Sequence, residues 1–280
     1  MKPEKEVEMD KARETQVHST AVVARGAILE EGVTVDAYAI IGPEVRIGRG
    51  TRIGAHAVVE GRTTLGCGNR IFHHASVGTE PQDQKYHGEE SSLVIGDGNI
   101  VREFATIHTG TEQGGMVTRL GNRNLLMNFS HVAHDCRIGD GNVLANGAQV
   151  AGHAIIENYA VIGALSGIHQ FVRIGESAFI GAGSMVSLDI PPYCNATGDR
   201  ATLHGLNRVG LERRGFSAEV IGEIRRAYRI LFQSRLPLEE ALAQALAEAG
   251  PCPEVQSFLA FIRRSERGVC RPRRGRTGEE

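Results

Sequence analysis

From Val23 onward a branched aliphatic residue recurs at every sixth position: Val23, Leu29, Val35, Ile41, Ile47, Ile53, Val59, Leu65, Ile71 and Val77. A second phase carries Ile95, Val101 and Ile107. A third runs from Leu120 through Leu126, Val132, Ile138, Leu144, Val150, Ile156, Ile162, Ile168, Ile174 and Ile180 to Val186. Glycine often follows the aliphatic residue, as at Gly42, Gly48 and Gly54, and small residues or Val recur four places on, as at Ala27, Val33, Ala39 and Thr51. A period of six fits neither the helical repeat nor simple strand alternation. It predicts short strands joined by corners that glycine eases, the hexapeptide pattern of a parallel β-helix.

The repeat is expected over residues 19–191, after a polar, aperiodic extension at 1–18. Residues 79–93 and 108–119 suspend it, and insertions into a solenoid project from one face that is often the binding face. At Ile190-Pro191-Pro192 proline removes ladder donors and the repeat should stop. The period then becomes helical. Phe216 to Gln233 spaces Val220, Ile224, Ala227, Tyr228 and Leu231 along one face, with Ser217 as N-cap. Leu238 to Ala249, stopped by Gly250-Pro251, and Pro253 to Ser265 give two further helices. Residues 192–268 are therefore expected to form a helical cap that shields one end of the solenoid from edge pairing, and the basic segment 269–280 to be disordered.

Composition narrows the function. With 280 residues, a formal net charge of -2 and a pI near 6.6, the chain has a sizeable core and no global field that favours nucleic acid. Its five cysteines, Cys67, Cys136, Cys194, Cys252 and Cys270, are scattered without a CxxC pair, which points to free thiols in a reducing compartment. Cys67 and Cys136 are expected to be small buried hydrophobes. No apolar run approaches the length of a membrane span, and the charged start lacks the apolar core of a signal peptide, so a cytoplasmic protein is expected.

Chemistry concentrates in Asn128-Phe129-Ser130-His131-Val132-Ala133-His134-Asp135-Cys136. His153 follows His134 by about one turn of three hexads and His169 by roughly another, so these imidazoles fall near one groove. Imidazole suits either zinc ligation or general-base catalysis. No matched ligand pair flanks His131 and His134, which favours the base. Asp135 is the nearest group to fix its tautomer, but neighbours on a regular strand point to opposite faces, so that contact requires a local turn. Gly152 can bring a bare backbone N–H close to a developing oxyanion.

Together with Pro81 to Glu89, Thr106-Ile107-His108, Ala151-Gly152-His153, Ile168-His169-Gln170-Phe171 and Arg213-Arg214-Gly215-Phe216-Ser217, this run closely resembles the acyl-[acyl-carrier-protein]–UDP-N-acetylglucosamine O-acyltransferases, which begin lipid A biosynthesis. The resemblance covers roughly Ser19 to Gly268. It implies a left-handed β-helix, a homotrimer with active sites between subunits, and acyl carrier protein and UDP-N-acetylglucosamine as partners. It implies no metal and no cofactor beyond the phosphopantetheine that carries the acyl donor. By the same resemblance His134 is the general base, Asp135 its orienter and the Gly152 amide the oxyanion donor. His131, His153, His169 and Gln170 position substrate, and Asp83 and Lys85 grip the sugar nucleotide. Asn207, Arg213 and Arg214 approach the nucleotide phosphates or the phosphopantetheine, and Ala182 acts as acyl-chain ruler, with Met185 next. Val209 departs from an acidic residue carried by some members, and residues 1–18 have no counterpart in the compact ones. Two alternatives stand beside this: the same transfer to a 3-amino sugar nucleotide, and a zinc-dependent hydratase on the same solenoid.

Overall fold

A computed structural model, which describes residues 14–248 and 252–273, shows a left-handed parallel β-helix closed by helices. Short strands, mostly of two residues, alternate among three sheets, here faces 1, 2 and 3, which start at Gln16–Val17, Val22–Val23 and Ile28–Leu29. Each strand pairs with the strand three hexads further along the chain, as in Thr34↔Arg52, so three hexads make one coil. From Val35 onward every aliphatic residue of the three series is buried, which is why no position in them fails.

Two coils are longer. Arg70 pairs with Ile100, where an unbroken repeat would bring Gly88, and Ile100 pairs with Leu125, where it would bring Thr118. Both insertions leave the edge between faces 2 and 3. The first lies between Ser76–Thr79 and Ser92–Ile95, the second between Thr106–His108 and Val117–Leu120. His134-Asp135, Gly152-His153 and Gln170-Phe171 form later corners of that same edge. The edge between faces 3 and 1 is held by buried asparagines. Asn99 Nδ2 donates to Asn69 Oδ1 (3.0 Å) and to the Gly121 carbonyl (2.9 Å), and Asn99 Oδ1 accepts from the N–H (2.8 Å) and Nδ2 (3.0 Å) of Asn124. Asn99→Leu would leave the Asn124 N–H and the Gly121 carbonyl without these partners. At roughly 1–3 kcal/mol per unmet buried group, a loss of about 2–4 kcal/mol is expected, seen as a lower denaturant midpoint.

The solenoid differs from expectation at both ends. Gln16–Val17 already pairs with Thr34–Val35, so the first coil starts before Ser19, while the rest of the predicted extension up to Arg13 lies outside the described residues. The ladder also survives Pro191-Pro192: Cys194–Thr197 joins face 1 beside Phe179–Ile180 and turns into an antiparallel partner, Thr202–Leu206. Four helices follow among the described residues: α1 (Arg208–Arg213), α2 (Ala218–Gln233), α3 (Leu238–Glu248) and α4 (Pro253–Arg263). The Val220 N–H donates to Ser217 Oγ (3.2 Å), the predicted cap of α2. The predicted stop at Gly250-Pro251 lies outside the described residues.

The segment expected to be disordered is ordered at its start. Val269 and Pro272 bridge to Asp189 and Leu203, and buried Asp189 accepts from Ser265 Oγ (2.7 Å) and the Arg173 N–H (2.8 Å), tying the cap to the last coil. Residues 274–280 lie outside the described residues. All five cysteines are free, and burial pushes the Cys136 thiol up to about 12. Cys67, expected inside, is exposed on a corner, where the chain turns outward between faces. No helix among the described residues is long and apolar enough to cross a membrane.

Candidate active site

The turn that the His134–Asp135 contact requires is present. Asp135 has φ of 61°, left-handed backbone that puts its carboxylate beside the preceding imidazole instead of across the strand. His134 Nδ1 lies 2.8 Å from Asp135 Oδ2. A carboxylate only accepts, so Nδ1 carries the proton and Nε2 keeps a lone pair, the tautomer of a general base.

Asp135 itself is buried and fully engaged. The Thr111 N–H donates to Oδ1 (2.9 Å), the Thr111 hydroxyl to Oδ2 (2.6 Å), and the Asp135 N–H to Thr118 Oγ1 (2.7 Å). Burial pushes this carboxyl upward, but hydrogen bonds from His134 and from the Thr111 hydroxyl and N–H outweigh it and hold it below the ordinary value. Space for the carboxylate comes from glycine: a Cβ on Gly114 would overlap Asp135 Cγ, and one on Gly110 would sit 2.8 Å from Oδ1. The sequence assigns no role to Thr111, Thr118, Gly110 or Gly114; the one signal there is the clustering of Gly110, Gly114 and Gly115 inside the second insertion.

Gly152 stands one coil above His134, and an added Cβ would meet the ring at 2.6 Å from Cε1 and 2.7 Å from Nε2. The imidazole therefore lies flat over bare backbone. Among the described residues the Gly152 N–H has no partner; the N–H groups of His134 and Gln170, at the same place in adjacent coils, are also free. His153 packs edge-on to His134 with centroids 5.1 Å apart and stacks on Phe171 at 4.4 Å, its Nε2 3.8 Å from Asp135 Oδ2. Burial pushes His153 below its usual value, with the Asp135 carboxylate opposing. His134, Asp135 and His153 are the one grouping among the described residues whose ligand atoms, all within 4.8 Å, could hold a metal. With Nδ1 committed to Asp135, Nε2 is the ring atom of His134 left with a lone pair, for a proton or for a metal.

His131 borders the same cavity from face 2, with Nδ1 2.8 Å from Thr106 Oγ1. Burial, with His108 and His134 nearby, pushes its imidazole down to about 4. The unfolded chain regains the usual 6.5, so His131 supports stability fully above that value and loses this support as pH falls toward 4. Between about pH 7 and about pH 5 the wild type should lose more unfolding free energy than His131→Asn. Equal losses would contradict the neutral assignment.

His108, to which the sequence assigns no role, is buried against His131 at 5.2 Å between centroids. Its Nδ1 lies 2.6 Å from the Glu80 carbonyl and so donates, which leaves Nε2 a lone pair without a partner among the described residues. From the first insertion, Asp83 Oδ2 comes within 3.9 Å of His134 Nε2, and exposed Lys85 donates its N–H to Asp83 Oδ1 (3.0 Å). The cavity, about 450 Å³, runs from Gln82, His108, His131 and His134 along face 2 past Gln149, Gly152 and Gly167 to His169 and Met185.

Several expected site residues lie elsewhere on the chain. Asn207 caps α1, accepting the Gly210 N–H on Oδ1 (3.1 Å) and donating Nδ2 to the Ser177 carbonyl (2.9 Å). Arg214 lies 3.7 Å over the Tyr159 ring and 2.8 Å from Glu176. Tyr159, Glu176 and Ser177 belong to corners between faces 3 and 1, another edge of the prism. Arg213 is exposed at the end of α1. Ala182 is exposed at the third edge, between faces 1 and 2, and does not line the cavity of its own chain; Met185 does. Gln170 is an exposed corner residue beside His169, outside the cavity lining.

Comparison with known proteins agrees with the resemblance. A family model described as UDP N-acetylglucosamine O-acyltransferase, domain 2, matches residues 189–270, and one for bacterial transferase hexapeptides matches 15–61 and 118–152. An acyl-[acyl-carrier-protein]–UDP-N-acetylglucosamine O-acyltransferase of Anaeromyxobacter dehalogenans is 49% identical over 91% of this chain and 99% of its own. One of Burkholderia orbicola is 51% identical over 92% and 100%. Among solved structures, the UDP-N-acetylglucosamine O-acyltransferase of Moraxella catarrhalis superposes with a TM-score of 0.89 at 41% identity, covering 91% of this chain and 99% of its own. The acyltransferase of Campylobacter jejuni gives 0.87 at 38%, covering 92% and 100%.

Proposed function

The chain belongs to the acyl-[acyl-carrier-protein]–UDP-N-acetylglucosamine O-acyltransferase family, and from that premise we propose that the groove at His134 carries out the transfer. The enzyme moves an acyl group from acyl carrier protein to UDP-N-acetylglucosamine. The observation that carries the site assignment is the His134–Asp135 pair, with Nε2 free over the bare backbone of Gly152. His134 Nε2 takes the proton of the sugar 3-hydroxyl as that oxygen attacks the thioester carbonyl. The tetrahedral oxyanion is held by the Gly152 N–H. Collapse expels the carrier thiolate, which recovers the proton from the imidazolium, so the imidazole ends neutral and no metal or other cofactor takes part in any step. Asp83, Lys85 and His131 hold the acceptor, and His153, His169 and Gln170 border the donor's path. A 3-amino sugar nucleotide would use the same base. Purified protein offered both sugar nucleotides with a ladder of acyl carrier proteins should acylate the 3-hydroxyl substrate, read by product mass, and exclusive acylation of the amine would overturn that choice. The five free thiols support a reducing, cytoplasmic setting.

A homotrimer explains the scattered residues. His134 lies on the edge between faces 2 and 3, while Asn207, Arg213 and Arg214 belong with the edge between faces 3 and 1 and Ala182 sits on the third, so one chain cannot gather them. A second copy against face 2 brings another edge to the groove. Within one chain the acyl slot ends at Met185, whose Sδ would lie 3.0 Å from a Cβ on Gly167. Met185→Ala should shift donor preference toward longer chains, read by mass spectrometry of mixed-donor competition. A shift with Ala182→Gly and none with Met185→Ala would put the end of the slot on the neighbouring copy.

A further inference from the structure

The second insertion reaches the His134–Asp135 pair through one side chain. Thr111 opens the one-turn helix Glu112–Gly114, where a threonine hydroxyl ordinarily turns back to cap the N–H groups of its own turn. It makes no such bond. The hydroxyl donates instead to Asp135 Oδ2 (2.6 Å), while the Thr111 N–H donates to Oδ1 (2.9 Å). The residue is buried and its backbone is pinned. Its carbonyl accepts the N–H groups of Gly114 (3.1 Å) and Met116 (2.8 Å), and the Gly110 N–H just before it donates to the Ser92 carbonyl (3.2 Å).

Two imidazoles face the carboxylate that Thr111 holds. His134 Nδ1 lies 2.8 Å from Oδ2, and His153 Nε2 lies 3.8 Å from the same oxygen. A carboxylate oxygen accepts along two lone-pair directions, and on Oδ2 the Thr111 hydroxyl and His134 Nδ1 occupy both. His153, stacked on Phe171 and aimed at Asp135, is thereby left outside hydrogen-bond distance. With one lone pair vacant, a small turn of the carboxylate would close that gap at the expense of the bond to His134. A bond from Asp135 would also favour the charged form of His153, and a cation whose ring centre is 5.1 Å from that of His134 would oppose proton uptake by the base.

Resting on the acyltransferase reading above, we propose that the Thr111 hydroxyl is a positioning group that reserves Asp135 for His134 by filling the lone pair His153 would otherwise take. Thr111 touches neither substrate nor reacting atoms. It acts through Asp135, by keeping the proton of His134 on Nδ1 and the neighbouring imidazole unpaired.

Thr111→Val tests this, since valine keeps the shape and the N–H and removes only the hydroxyl. Its kcat should fall about ten- to hundredfold, the order of one hydrogen bond to a charged group, with KM for acyl carrier protein and for UDP-N-acetylglucosamine within about twofold of the wild type. Thr111→Ser, which keeps the hydroxyl, should retain most of the wild-type rate. In a His153→Asn background the side chain at 153 is too short to reach Asp135, and asparagine suits the left-handed backbone there (φ of 61°). Thr111→Val should cost no more than about threefold in that background. A hydroxyl that served the fold alone would lower the unfolding midpoint with kcat kept, or its loss would weigh equally in both backgrounds. Either result overturns the proposal, as does a rise in KM with kcat unchanged. Where circular dichroism shows that valine upsets the loop, Thr111→Ala removes the same hydroxyl without a branched side chain and is held to the same expectations. Nitrogen-15 NMR of histidine-labelled free protein separates this inference from the acyltransferase reading. The wild type should show His134 with a hydrogen-bonded Nδ1 proton, and Thr111→Val should weaken that signal. This pattern in a protein that transfers no acyl group would defeat the transfer and leave the positioning role standing, whereas an unchanged signal in Thr111→Val would overturn the positioning role even in an active enzyme.

Discussion

His134→Ala should fold normally and lose about 10²- to 10⁴-fold in turnover, the range for removing a general base. The side chain sits at a corner, outside the buried aliphatic stack, so its removal opens no cavity in the core. The loss should fall on kcat more than on KM for either substrate, because proton removal develops only in the transition state. Asp135→Asn provides an independent check. An amide beside Nδ1 accepts the same proton through its oxygen but can also present N–H, which favours the tautomer with Nε2 protonated and useless as a base. Near-normal turnover in a folded His134→Ala protein would remove His134 from the chemistry and leave His153, the other imidazole near Asp135, as the group to test.

The parts of the fold that were legible in the sequence are those set by burial. Ile41, Ile47 and Ile53 each fill the same slot of the coil on successive faces, so the core writes its period into the chain. Ser217 and Pro253 mark helix starts by local chemistry and were legible for the same reason. Contacts across coils were less so. The two insertions lengthen their coils by unequal amounts, the second by other than whole hexads, so counting hexads cannot reveal that Thr111 lies under Asp135. Asn207 caps α1 and is tied to Ser177, contacts across coils that its residue type alone does not reveal. α1 itself is too short to show a period. The placing of Arg214 on a different edge from His134 depends on how the cap folds back, which no repeat encodes.

Gly152→Ala tests that cross-coil geometry with one methyl group. Gly152 has no positive φ, so alanine suits the backbone there and the coil should form as in the wild type. The new Cβ would nevertheless meet His134 Cε1 at 2.6 Å and Nε2 at 2.7 Å, well inside carbon contact distance. The backbone of Gly152 is pinned by its neighbours, since the His153 N–H donates to the His134 carbonyl (3.0 Å) and the Phe171 N–H to the Gly152 carbonyl (3.1 Å). The ring must therefore tilt, which lengthens its bond to Asp135 and swings Nε2 away from the acceptor hydroxyl. A displacement of about 1 Å at a reacting group costs on the order of 10²-fold. The same methyl also crowds the N–H offered to the oxyanion, whose loss alone costs about 10²- to 10³-fold. Turnover in Gly152→Ala should thus drop by at least about 10²-fold with the unfolding midpoint near that of the wild type. Adding His134→Ala to it should cost far less than the same change in the wild type, because the methyl has already disabled the base. Full activity in the alanine variant, or strictly multiplicative losses in the double variant, would show that the imidazole does not work from its position over Gly152.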